Sequence, residues 1–265
     1  MEFWGTTDSG KVRRQNQDVV RTLCDESKDI AVLVVCDGMG GANAGNIASA
    51  LAADAFMDIM GECLEENAGR SDIAAKMAQA VIAANRAVYE KSILDDELSG
   101  MGTTLVAAAS SADGEVVVNV GDSRAYHVTK SSIKQITKDH SVVEEMIARG
   151  DLTRAEARRH PNKHLITRAL GPCSDEAPDI FYPDLEDGDH ILLCTDGLSN
   201  IVLDSEILFE LQRGVSVRET CERLVGMALS RGAPDNVTAA ILRKRREDSG
   251  AKADEAANRD DTVQP

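Results

Sequence analysis

Five aspartates sit where apolar runs of the 265-residue chain begin or end: Asp18 in QNQDVV, Asp37 in VLVVCDG, Asp122 in VVVNVGDSR, Asp196 in ILLCTDG and Asp235 in GAPDNVTAAIL. Any one of them is an ordinary turn residue, because an Asp side chain readily hydrogen-bonds its own backbone. Five in that position pose a different problem. If folding brings these ends to one edge, the carboxylates lose water and repel each other, so they must take up protons or hold cations between them. Oxygen ligands with no histidine or cysteine cluster beside them suit magnesium or manganese, not zinc. Two such ions about 3.5–4 Å apart share and acidify a water, which can then attack phosphorus. A planar arginine fork suits the phosphate oxygens. Arg13, five residues before Asp18, is the candidate, and Arg14 reads as a solvated surface base.

The stretch around Asp37, IAVLVVCDGMGGANAGNIASA from Ile30 to Ala50, has the strand, glycine loop and helix layout of a nucleotide phosphate loop. The details exclude that use. Asn43 stands where a dinucleotide fingerprint needs its third glycine. Asn46 and Ile47 stand where a phosphate loop needs lysine and a hydroxyl residue. The glycines after Asp37 and Asp196 instead let backbone approach, so that a carbonyl can join the carboxylates as a ligand.

A net charge of −16 and a pI near 4.7 argue against a sequence-independent nucleic-acid binder, whose affinity comes mostly from lysine and arginine. The N-terminal stretch has no apolar core of signal-peptide length, and no run anywhere approaches the length of a membrane span. The expectation is a cytoplasmic monomer with no membrane contact. Six cysteines form no CxxC pair, and Cys36 and Cys194, inside apolar runs, read as small core residues. The segment from Arg243 to Pro265 has no periodicity and almost no large apolar residues, so it is expected to be a disordered charged tail. Its six bases and six acids cancel, which leaves the whole −16 in residues 1–242, expected to be one domain.

The elements that must position the aspartates follow from periodicity. Ile47, Leu51, Ala55 and Ile59 recur at i+4 as one helical face, and Ile73, Met77, Val81, Ala84 and Val88 form the buried stripe of a helix starting after Ser71. Met101–Ser110, Glu115–Val128, His190–Asn200 and Asn236–Leu242 read as β segments, the first two joined by a turn at Ala112–Gly114. Three more helices begin at expected capping boxes, Ser141 with Glu144, Thr153 with Glu156 and Ser216 with Glu219, with Gly150 and Gly232 as stops of the first and last. Strands and helices that are segregated rather than alternating suggest packed antiparallel sheets with outer helices, an α+β class.

In order and spacing, RRQNQD, DGMGG, GMGTT, VGDSRAY, KDHS, HPNKHLITRALG, CTDGLSN and APDNVT resemble the metal-dependent serine/threonine protein phosphatases of type 2C, in particular the compact bacterial members, over about Thr6 to Leu242. The resemblance implies a four-layer αββα sandwich of two antiparallel sheets, with a helical flap at about residues 141–171. It implies two manganese or magnesium ions. Asp37 would bridge them, Asp196 and Asp235 would complete one site, and the Gly38 carbonyl with Asp18, mainly through water, would hold the other. Asp122 with Asp196 would bind a third, weaker ion, and Arg13 the phosphate. It further implies phosphorylated proteins as substrates and a serine/threonine kinase as the opposing enzyme.

Two positions depart from the family pattern. Gln17 stands where some members have a metal-binding glutamate. Met39 and Ala42 occupy the two positions where members place a proton-donating histidine, and neither residue has a proton to give. Of the chain's own histidines, His140 matches a motif residue of structural role, and His160 and His164 lie in the flap segment. Two other readings are a binder of phosphoproteins without turnover and a phosphatase of small phosphoesters.

Overall fold

The computed structural model describes residues 1–40, 44–65 and 69–244, the side chains of 63–65 excepted. In chain order the elements are β1 (Glu2–Asp8), β2 (Asp18–Asp25), β3 (Ile30–Met39), α1 (Ala44–Glu65), α2 (Arg70–Leu94), β4 (Gly102–Thr103), β5 (Leu105–Ser111), β6 (Gly114–Val120), β7 (Arg124–Val128) and β8 (Ile133–Gln135). They continue with α3 (Val142–Arg149), α4 (Arg154–Ala157), β9 (Asp179–Phe181), β10 (His190–Cys194), α5 (Asp196–Ser199), α6 (Asp204–Leu211), α7 (Val217–Ser230) and β11 (Val237–Arg243).

All strand pairs are antiparallel and form two sheets. One has the order β1-β11-β10-β7-β8, the other β2-β3-β5-β6-β9 with the short β4 on β3. β3 explains the layering. Successive strand residues point to opposite faces, and this strand is apolar on both. Val32, Val34 and Cys36 join a core with Phe56 and Met60 of α1 and Met77 and Val81 of α2. Ala31, Leu33 and Val35 join a second core with Ile191 and Leu193 of β10 and Leu242 of β11. On the far side, Leu192 and Cys194 pack with Leu198, Ile207 and Leu224 of the helices covering the first sheet. The result is the expected αββα sandwich.

Several elements differ from the sequence reading. The predicted α1 stripe of Ile47, Leu51, Ala55 and Ile59 only flanks the core, whose inner positions are Ala48, Ala52, Phe56 and Met60. The helix is apolar around much of its circumference, so i+4 spacing allows more than one register, and the alanines permit the closer approach. The β segment Glu115–Val128 holds two strands that belong to different sheets, because the chain turns at Gly121 and Asp122 and passes from one sheet to the other. His190–Asn200 likewise divides: Thr195 precedes α5 and Asp196 is its first residue. β1, β8, β9 and α6 had no clear periodic signal. β11 runs on through Arg243, and Lys244 Nζ lies 3.1 Å from the buried Glu115. The folded part therefore passes the expected boundary at residue 242, while residues 245–265, the rest of the expected tail, lie outside the described residues.

The three predicted helix starts are capped as expected, but of these only Thr153 forms the reciprocal capping box, where the Glu156 carboxylate accepts the Thr153 N–H. Ser141, Thr153 and Ser216 each accept the backbone N–H three residues on. The segment expected as the flap holds α3 and α4 and is tied back by bridges from Ser141 to Ile166 and from Thr103 to Leu170.

Gly121 has φ +110°, and a Cβ there would lie 2.7 Å from the Thr104 Cβ. Gly121→Ala is expected to cost about 3 kcal/mol, from backbone strain plus overpacking. The check is a lower urea midpoint at constant m value, and a midpoint equal to the parent's would refute it.

Candidate active site

Antiparallel register brings the aspartates together. Asp18 opens β2 and Asp37 lies near the end of β3, and the two are direct cross-strand partners, a relation that places Cα atoms about 4.5–5.5 Å apart. In the other sheet, Cys194 at the end of β10 pairs with Ala239 near the start of β11 and with Arg124 at the start of β7. Asp196 lies just past one of these strand ends, and Asp235 and Asp122 just before the other two. All five therefore reach one rim of the sandwich.

The chain crosses between the sheets at that rim, in the segment joining β1 to β2, and Asn236 pins it. Its Nδ2 donates to the carbonyls of Ser9 and Gln15 at 2.9 and 3.0 Å, and its Oδ1 accepts the Gln17 N–H at 2.9 Å. The crossing segment carries Arg13, whose guanidinium donates to Asp235 Oδ2 at 2.8 Å. Gln17 contributes through its backbone carbonyl, which accepts the Gly38 N–H at 3.0 Å.

Asp18 is buried, although it belongs to one sheet and its hydrogen bonds come from the other: Thr195 and Thr238 hydroxyls donate to its Oδ2 at 2.9 and 2.7 Å. Its Oδ1 is also buried and has no hydrogen-bond partner. Asp37 is held by its backbone. Its N–H donates to the Thr104 hydroxyl at 3.0 Å, and its carbonyl accepts the Thr104 N–H and the Thr103 hydroxyl, both at 2.9 Å. Thr104 in turn shares a 2.8 Å hydrogen bond with Ser123, next to Asp122.

The glycines after Asp37 and Asp196 have a packing role. A Cβ on Gly38 would strike the Gly45 carbonyl at the start of α1, and one on Gly197 would strike the Asn236 carbonyl. The absent side chain at Gly197 is what lets α5, carrying Asp196, lie against the turn carrying Asp235.

The electrostatics follow from this crowding. Burial, only partly offset by the two threonine hydroxyls, pushes Asp18 from the ordinary 3.8 up to about 7, with Asp196 and Asp235 adding repulsion. Burial followed by the charges of Asp18, Asp196, Asp122 and Asp235 drives Asp37 well above the carboxylate range. Burial and then Asp196 push Asp122 up to about 7. Asp37 and Asp122 keep an edge open to solvent, which tempers this effect without removing it. Among the described residues, no three acidic, histidine or cysteine side chains already stand as a coordination shell. Individual oxygens turn to other partners instead: Asp235 to Arg13, Asp18 to its threonines, and Asp196 to Asn200 Nδ2 at 3.0 Å. An orphaned buried carboxylate oxygen amid mutually repelling oxygen donors still fits hard divalent cations.

Arg13, Asp18, Asp37, Gly38, Asp122, Asp196 and Asp235 thus share one rim. Met39 ends β3 beside Gly102, and Ala42 lies outside the described residues. His140 is structural, with Nδ1 accepting the Gly121 N–H at 3.0 Å and Nε2 3.2 Å from Asp179. His164 Nδ1 lies 3.5 Å from Asp196 Oδ2. Sequence reasoning missed Asn236, Thr195 and Thr238. Their only signal is a polar side chain at an apolar strand end, where burial obliges it to find a partner.

The sequence model of the protein phosphatase 2C family matches residues 10–236. A putative protein phosphatase 2C-type of Streptococcus pyogenes serotype M6 is 33% identical over 243 residues, which cover 91% of this chain and 97% of that protein. The crystal structure of the serine/threonine phosphatase PstP/Ppp of Mycobacterium tuberculosis is 36% identical and superimposes with a TM-score of 0.82 over 92% of this chain and 99% of its own. The catalytic domain of the serine/threonine protein phosphatase PstP in complex with two manganese ions, 35% identical, gives 0.80 over 92% and 98%. Fold, rim and these likenesses agree: the chain belongs to the protein phosphatase 2C family.

The Asp18 shift has a measurable consequence. In the folded state this group holds its proton up to about 7, whereas in the unfolded chain it releases it near pH 4. Between those values the native state binds the extra proton, so stability falls as pH rises. The protein in chelator is expected to melt at progressively lower temperature from pH 4.5 to about 7, with a flatter profile in Asp18→Asn. Identical slopes in the two proteins would refute the assignment.

Proposed function

We propose that this protein is a metal-dependent phosphatase that removes phosphate from serine and threonine side chains of proteins by in-line attack of water. The observation that carries the reading is the convergence of carboxylates from both sheets on one rim, with Arg13 at its edge. When bound there, manganese or magnesium supplies an activated water and neutralises phosphate charge.

The chain's own residues have distinct tasks. Asp37 would be shared by two ions, Asp196 and Asp235 would help hold one, and the Gly38 carbonyl with Asp18 would help hold the other. Asp122 with Asp196 would hold a third, weaker ion. The hydroxyls of Thr195 and Thr238 hold one oxygen of the Asp18 carboxylate and leave its other, buried oxygen without a hydrogen-bond partner. Asp235 orients the Arg13 guanidinium, whose planar donors suit the phosphoryl oxygens. That hydrogen bond, followed by the attraction of Asp235, holds Arg13 above its usual pKa, so it stays cationic at any working pH. Met39 has no proton for the leaving alkoxide. His164, against Asp196, is the histidine placed nearest that task.

No helix among the described residues is long and apolar enough to cross a membrane. As part of the same proposal, the enzyme is a cytoplasmic monomer whose catalytic domain opposes a serine/threonine kinase and acts on that kinase's substrates. The test is phosphate release from a phosphothreonine peptide. It is expected to require manganese or magnesium, to stop with chelator, and to fall by more than about a hundredfold in Asp196→Asn, beyond what losing an outer partner of a metal ligand typically costs. Undiminished turnover by a folded Asp196→Asn protein would overturn the reading, and peptide binding without turnover by the parent would make the protein a binder.

A further inference from the structure

A cavity of about 830 Å³ opens beside the rim, between the α3–α4 segment and the ends of the first sheet, and Asp122 and Asp196 line its inner end. Six of the residues that line it are cations, Arg124, Lys138, Arg154, Arg158, Arg159 and Lys163. Lys138, Arg158, Arg159 and Lys163 face it, and among the described residues none of them forms an ion pair. Lysines without an ion pair occur elsewhere on the described surface, at Lys11, Lys130 and Lys134, but in a chain of net charge −16 most arginines find an acid. The described arginines without an ion pair are Arg14, Arg158 and Arg159, and two of those three line this cavity.

The acids of the lining do not neutralise them. Asp139 is taken by Arg124 at 2.7 Å and Glu144 by Arg154 at 3.4 Å, while Asp122 and Asp196 belong to the rim. Asp204, in the first turn of α6, is left facing four cations.

We infer that this cavity is a substrate subsite for anionic side chains, carboxylates or a second phosphate, flanking the phosphorylated residue. The inference rests on the phosphatase reading above and adds a substrate class to it. An extended peptide advances about 3.3 Å per residue. With its phosphate at the rim, the next few residues come within reach of a cavity that shares Asp122 and Asp196 with the rim. Exposed lysine and arginine attract such groups modestly per contact, but several act on one peptide, and they bias which substrates dwell at the rim.

The experiment compares kcat/KM for phosphothreonine peptides whose flanking positions are alanine, glutamate or a second phosphothreonine. The expected result is a preference of about fivefold or more for the acidic peptides, the combined effect of two or more exposed ion pairs. It should reside mainly in KM and shrink toward unity in 0.5 M salt. In Arg158→Gln/Arg159→Gln/Lys163→Gln the ratio of acidic to alanine peptide should fall to about 1, and using a ratio makes each protein its own control. Preference for either acidic peptide supports the subsite, and the larger one names the anion. Equal rates on all three peptides, or a preference that survives in the triple variant, overturn it. Should the triple variant misfold, Arg159→Gln alone must lower the ratio. If no peptide is hydrolysed at all, the activity reading fails separately. The subsite is then judged by fluorescence anisotropy of the same labelled peptides, where equal affinities overturn it.

Discussion

Like charges brought together out of water set the terms for this molecule. Carboxylates from both sheets meet at one rim, where burial and mutual repulsion drive Asp18, Asp37 and Asp122 toward their neutral forms. A fold selected for stability alone would not place them there, because an ionised group leaving water without compensation is costly. The surrounding residues contain that cost. Threonine hydroxyls take one oxygen of Asp18, Arg13 takes Asp235, and Asn200 takes Asp196. None of these satisfies the rim fully. The remaining deficit is what gives it affinity for hard cations and, through them, for phosphate.

The sandwich makes such crowding tolerable. Each sheet is buried on both faces, by its helices outside and by the other sheet within. The strands that carry the aspartates are thereby fixed along their length before their ends are considered. The sheets are also joined at the rim itself: Asp18 of one accepts hydroxyls from the other, and Asn236 ties the crossing segment to the β11 end. Removing one member of this network would disturb its neighbours, so deletions there should not be additive.

Much of this was readable from residue order. Asp18, Asp37, Asp122, Asp196, Asp235 and Arg13 stood out because a charged residue ending an apolar run demands an explanation, and the motif order supplied one. The layers followed from β3, whose unbroken apolar run requires cover on both faces. What could not be read has physical causes. The strand end at Asp122 was legible, but the change of sheet there was not, because only the positive-φ backbone of the turn at Gly121 reveals it. The α1 register was missed because apolar residues occur around most of its surface. Asn236, Thr195 and Thr238 carry no periodic signal at all, since their importance comes from partners far away along the chain, at separations of 177 to 227 residues.

The pairing of β1 with β11 has a consequence for how the molecule comes into being. β11 lies inside its sheet, between β1 and β10, and the turn just before it delivers Asp235 and Asn236. A growing polypeptide leaving the ribosome therefore holds its first strand without a neighbour for most of its synthesis, an open edge of the kind that invites wrong pairing. Until the last strand inserts, the rim lacks both its anchor and one of its acids. A translation product that stops before β11 lacks Asp235, Asn236 and a central strand of the first sheet, so it cannot assemble the rim.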